Sequence, residues 1–254
     1  MVMSGKQLIP GIRATREAML RGQIKIHEVW VKEGRMGIKI EEIVRLGEVK
    51  GIPVLYKKGA LLDERLPGIA HQGIVALAES FRYVDLNQII ASSLKETTPH
   101  QALIVAADHI TDEGNLGALI RTAAFFKAHG LILPKDRSAK ITEKVLKRSA
   151  GSYVDLPVAR VVNLGRALDI LNKKGFWIIG AAGEDPETIY HFDWDRDVVL
   201  VLGSEDKGLS PSVRNRCHQL VSIPSYGTVN SLNISVAGGV ILSEIVRQRK
   251  MRGM

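Results

Sequence analysis

Hydrophobic and polar positions change their spacing partway along this chain. Up to about residue 80 they give a short helix in GIRATREAMLRG (11–22), a strand in IHEVWV (26–31), and an amphipathic helix in IKIEEIVRLGEVKG (38–51). A strand in IPVLYK (52–57), a helical piece in KGALLDERLPG (58–68) and a closing strand in HQGIVALAE (71–79) complete a small α/β unit. SSLKETTPH (92–100) then loses periodicity and meets Pro99, which predicts a linker over 81–100. From residue 101 near-continuous apolar runs alternate with helical repeats. ALIVAADHI, LILP, LPVARV, FWIIGAAG, DVVLVLG and LVSIPS read as strands, with helices in LGALIRTAAFFKAHG, KITEKVLKRSAG, LGRALDILNKKG and LNISVAGGVILSEIVRQRK. Strands that are apolar throughout, each followed by a helix, predict a parallel sheet covered on both faces. Gly130 is expected to cap the end of the first of these helices.

The expectation is therefore an α/β protein of two domains, 1–80 and 101–254, joined by the linker. No internal repeat and no low-complexity tract interrupts it. A formal charge of +8 points to a polyanionic partner, because Lys and Arg gain affinity by displacing counterions from phosphates. Residues 1–80 hold 13 Lys and Arg against 9 Asp and Glu, so the first half carries part of that excess. Cys217 is the single cysteine, which excludes a disulfide framework and argues against a structural zinc site. His71, His109 and His191 show no metal-ligand spacing and read as structural or RNA-adjacent. No apolar run reaches the roughly 20 residues that span a bilayer, and a cytoplasmic setting is expected.

In parallel α/β sheets ligands sit where loops leave the carboxyl ends of strands. Three such loops are unusually polar: DHITDEGNLGALIR (108–121), GSEDKGLS (203–210) and IPSYGTVNSLN (223–233). Gly203 and Gly208 have the spacing of a phosphate-binding P-loop, but Leu209 stands where that motif needs its lysine, and no GxGxxG opens a helix. The third loop places Asn230, Ser231, Asn233 and Ser235 at the start of a helix. One such residue suffices to cap a helix, and four exceed that need.

Taken in order, these loops resemble the SpoU-type RNA ribose 2′-O-methyltransferases of the trefoil-knotted SPOUT class. The resemblance rests on Asn115-Leu116-Gly117 with Arg121, on GSEDKGLS, and on IPSYGTVNSLNISVA, and it covers roughly residues 102–249. GIRATREAML, HEVWV and HQGIVA resemble the ribosomal-protein-L30-like substrate domain of the branch that methylates a guanosine ribose in large-subunit ribosomal RNA. The resemblance implies a knotted fold, S-adenosylmethionine as cofactor, ribosomal RNA as partner and a homodimer. It implies that Gly203, Ile223 and Leu232 contact the cofactor, mostly through main chain, and that Arg121, Asn115, Glu205, Ser231 and Asn233 form the catalytic cluster.

Glu113-Gly114 replaces a proline-bearing loop, Asp206 a glycine, and Ser225-Tyr226 a methionine and a small residue. An exposed Tyr226 is suited to stacking on a flipped base. Two other readings compete: a transfer-RNA guanosine 2′-O-methyltransferase, and an RNA-binding assembly factor without turnover. Taken singly, Arg121 reads equally as a solvated helix charge, and Glu205, Ser231 and Asn233 as capping or turn residues.

Overall fold

The computed structural model describes residues 5–95, 101–183, 187–204, 207–228 and 231–252. In chain order the elements are β1 (Lys6–Pro10), α1 (Ile12–Arg21), β2 (Ile26–Lys32), α2 (Ile38–Lys50), β3 (Val54–Lys57), α3 (Gly59–Arg65) and β4 (Ile74–Glu79). There follow α4 (Leu86–Lys95), β5 (Leu103–Ala107), α5 (Glu113–Phe125), β6 (Gly130–Pro134), α6 (Glu143–Arg148) and a 3-10 turn at Ser152–Val154. Then come β7 (Val158–Val161), α7 (Leu164–Lys173), β8 (Trp177–Ala181), β9 (Val198–Leu202), α8 (Pro211–Arg214), β10 (Gln219–Val221) and α9 (Ile234–Arg252).

Two compact units emerge. The first is Met1–Arg82 with Lys140–Asp155, and the second Tyr83–Ala139 with Leu156–Met254. In the first, a four-stranded sheet runs β1-β4-β2-β3, with β2 and β3 parallel and the other pairs antiparallel. Ala14, Ala18 and Met19 of α1 and Ile40 and Ile43 of α2 supply buried helical faces at the spacing the sequence shows. His71 is buried and structural: its Nδ1 accepts from the Gly73 N–H at 3.1 Å and its Nε2 lies 2.9 Å from Asp63 Oδ1.

The second unit is built on six parallel strands in the order β10-β8-β9-β5-β6-β7. β5, β6 and β9 are buried along their whole length, as strands covered on both faces must be. Arg249 of α9 ties the terminal helix to distant main chain: its guanidinium donates to the carbonyls of Trp194 (3.2 Å), Gln101 (2.7 Å), Ala102 (3.4 Å) and Arg196 (2.8 Å). Burial pushes this guanidinium down to about 10, so it stays charged at neutral pH.

Three sequence expectations change. Residues 86–95, within the stretch assigned to a linker, form α4 and bury Leu86, Ile89, Ile90 and Ser93. Gly130 does not cap α5. Phe126 holds the cap position, Lys127 turns the chain at φ 58°, and Gly130 opens β6, where a Cβ would stand 2.6 Å from Ile89. The helix expected inside the second domain at 140–151 is α6, and it packs with β1 of the first unit.

Candidate active site

The carboxyl ends of β5 and β9 lie side by side, joined by the Asp108 N–H donating to the Leu202 carbonyl at 2.7 Å. Asp108 is 1% exposed. Its Oδ2 accepts from the Ser210 N–H at 2.7 Å and its Oδ1 lies 2.6 Å from His109 Nδ1, so one buried carboxylate fastens the first polar loop to the exit of the second. Beyond it, Asp112 caps α5 by accepting from the Asn115 N–H at 2.7 Å. Glu113 occupies the first helical turn, where a negative charge favours the helix dipole, so the loop works without the proline of its resemblance.

The second loop closes on itself. Ser204 and Gly208 exchange main-chain hydrogen bonds of 3.0 and 2.9 Å, and Gly208 turns at φ 62°. Gly203 lies so close beneath this turn that a Cβ on it would stand 2.2 Å from the Gly208 carbonyl carbon. A side chain is excluded there, and the loop presents main chain. Glu205 and Asp206 lie outside the described residues, as does Asn230.

Asn233 answers for part of the polar cluster before α9. Its Oδ1 accepts from the Ser235 N–H at 2.9 Å and the Ser235 hydroxyl at 2.6 Å, while its carbonyl accepts from Val236 and Ala237. That is an N-cap. Its Nδ2 also donates to Asn115 Oδ1 at 2.8 Å, across 118 residues of sequence. One amide thus caps α9 and ties it to the first turn of α5. Gly238 of α9 lets the two helices close, since a Cβ there would stand 3.0 Å from Leu119 and from Leu202.

The remaining candidates divide by exposure. Arg121 is exposed on α5, opposite its buried Leu116, Leu119, Ile120 and Ala123 face, and forms no ion pair among the described residues. Ser231 is exposed, Ile223 half-buried, and Leu232 46% exposed. Tyr226 is 99% exposed. Burial pushes the Cys217 thiol up to about 11, which leaves it protonated and unreactive at neutral pH. The sequence reading did not single out Asp108 or Asp112. Asp108 ends an otherwise apolar strand, and an acid in that position is the signal that was available.

Comparison with known proteins gives this geometry a context. Residues 102–243 match the sequence profile of the SpoU rRNA methylase family, and residues 8–84 match the profile described as RNA 2′-O ribose methyltransferase substrate binding. The chain is 38% identical to the 23S rRNA (guanosine-2′-O-)-methyltransferase RlmB of Pseudomonas aeruginosa, covering 97% of this chain and 98% of that one. It is 35% identical to RlmB of Pseudomonas putida, over 98% and 100% of the two chains. Among solved structures it resembles the SpoU methyltransferase AviRb from Streptomyces viridochromogenes in complex with AdoMet. That likeness has a TM-score of 0.80 and 28% identity, and covers 98% of this chain and 92% of that one.

Proposed function

The chain belongs to the SpoU rRNA methylase family, and from that membership we propose that it methylates a ribose 2′-hydroxyl of a guanosine in large-subunit ribosomal RNA, with S-adenosylmethionine as donor. The observation that carries the catalytic reading is the Asn233–Asn115 hydrogen bond, which joins the third polar loop to the helix bearing Arg121.

The residues present fit the cofactor. A glycine loop that admits no side chain offers peptide N–H and carbonyl groups, and the exposed Leu232 and half-buried Ile223 offer apolar surface to an adenosyl group. Gly203, Ile223 and Leu232 would hold it there. When bound it supplies an electrophilic methyl group on sulfur.

The chain's own task is to bring a ribose oxygen into line with that methyl, remove its proton, and stabilise the charge that develops. Asn115 and Asn233 have fixed amides at the helix starts, and with Ser231 they orient the ribose; Glu205 anchors this network. Arg121 holds the neighbouring phosphate and stabilises the forming alkoxide. A guanidinium stays protonated at working pH, so the proton passes to a phosphate oxygen or to water.

The reading also includes a trefoil knot, a homodimer and a cytoplasmic setting. The knot is supported by the path of the chain: it leaves β10 at one edge of the sheet, yet α9 packs on α5 beside the central strands. Exposed Phe125 of α5 and Val236 of α9, at 80% and 50%, support pairing of two copies through this unit. An RNA substrate supports the cytoplasm; among the described residues no helix is long and apolar enough to cross a membrane.

Methyl transfer from labelled S-adenosylmethionine to separated large-subunit ribosomal RNA and transfer RNA, with wild type beside Arg121→Ala, tests the proposal. Label on ribosomal-RNA ribose that disappears in the variant is expected. Label on transfer RNA alone overturns the substrate, and tight RNA binding without transfer to either pool overturns the activity.

A further inference from the structure

The first unit carries a cationic and apolar surface that methyl transfer does not use. β2 and β3 run parallel with Lys32 opposite Lys57, so both strands end at the same edge of the sheet. There the Glu33 N–H donates to the Lys57 carbonyl at 2.9 Å and the Lys32 N–H to the Gly73 carbonyl at 2.8 Å, which draws three loops together.

Two glycines form the floor of this edge. A Cβ on Gly59 would stand 2.7 Å from Lys32 Cε, and one on Gly73 would stand 3.4 Å from Lys32 Cβ and 3.2 Å from Arg35 Cγ. The stems of Lys32 and Arg35 therefore lie across neighbouring loops with their charged ends outward. Lys39, Lys57 and Lys58 add charge at the same edge, against Glu33. None of these five cations forms an ion pair among the described residues, whereas Arg16, Arg21 and Arg82 of the same unit are held by Glu42, Asp155 and Glu79. Met36 and Ile38, in the loop between β2 and α2, are each 85% exposed. Cations without carboxylates beside bare apolar side chains match a ligand that offers phosphates and unstacked base faces together.

We propose that this edge grips a single-stranded or loop segment of the RNA substrate, with Lys32, Arg35, Lys57 and Lys58 on phosphates and Met36 and Ile38 against bases. It rests on the RNA-methylating reading above and locates the hold on RNA in the first unit.

The test uses the full-length protein and purified large-subunit ribosomal RNA, with affinity measured across a salt series. Arg35→Ala with Lys58→Ala is expected to raise Kd about tenfold and to make the salt dependence shallower by about two phosphate contacts. Met36→Ala with Ile38→Ala is expected to raise Kd about fivefold with the salt slope kept, since no charge is removed. Lys25→Ala with Lys50→Ala, at the opposite edge, should change Kd by less than about twofold. S-adenosylmethionine affinity and melting temperature report whether each variant is folded. Wild-type methyl transfer to this RNA, with both surface doubles binding it as wild type does, overturns the surface and leaves the function standing. A wild type that neither binds nor methylates RNA overturns the function, and this proposal with it.

Discussion

Asn233 uses both ends of one amide, and the two uses can be separated by substitution. Asn233→Asp keeps an oxygen for the Ser235 N–H and loses the donor to Asn115. Its melting temperature should stay near wild type while kcat falls. Asn233→Ala loses the cap as well, at about 1 kcal/mol, and should melt roughly 2–4 °C lower. Equal activity in Asn233→Asp and wild type would remove the cross-link from the mechanism. Arg121→Lys keeps a charge but not a forked donor, so kcat should fall at least about tenfold; an unchanged rate would show that a point charge suffices. For Cys217, whose pKa is raised by burial, the folded state favours the neutral thiol. That stability is fully present below the thiol's ordinary pKa and is lost as pH rises through about 11. Iodoacetamide should label the native protein far more slowly than the urea-unfolded chain at neutral pH, with the native rate climbing toward pH 11.

Among elements, the loop after β9 depends on a glycine whose replacement has no room. Gly203→Ala should abolish S-adenosylmethionine binding, because its methyl group would meet the Gly208 main chain at 2.2 Å. Gly227→Ala, with nothing within 4 Å, should bind as wild type. Calorimetric titration of the two variants decides it. The strands and helices of the second unit were legible in the sequence because their burial enforces long apolar runs and helical spacing. β1 was not, since KQLIP is five residues long with only Ile9 and Pro10 buried. α4 escaped for another reason: two serines and a following proline read as linker, although Leu86, Ile89 and Ile90 already carry the spacing of a buried face. The polar loops were legible as candidates, but the Asn233–Asn115 pairing was not, because no local pattern specifies a contact across 118 residues.

Within the whole second unit, Arg249 is the fastening that reaches farthest along the chain, 148 residues back to Gln101. Arg249→Met keeps much of the volume and strips four carbonyls of their donor, so it should cost about 3 kcal/mol, seen as a lower urea midpoint at unchanged slope. Wild-type stability in that variant would show that water replaces the guanidinium. The first unit is assembled from two separate stretches: Arg21 of α1 is bonded to Asp155, Glu17 lies against Gly151, and Phe81 packs edge-on to Tyr153. The boundary of this unit in space is therefore not a boundary in the gene. A single crossover near residue 82 that brought in a relative's substrate-binding domain would leave the new Arg21 and Glu17 counterparts facing a resident 140–155 segment they had never packed with. Recombination has to move both stretches together or repair the mismatch afterwards. New RNA targets in such a chain are reached more readily by point changes in surface loops than by exchange of whole domains.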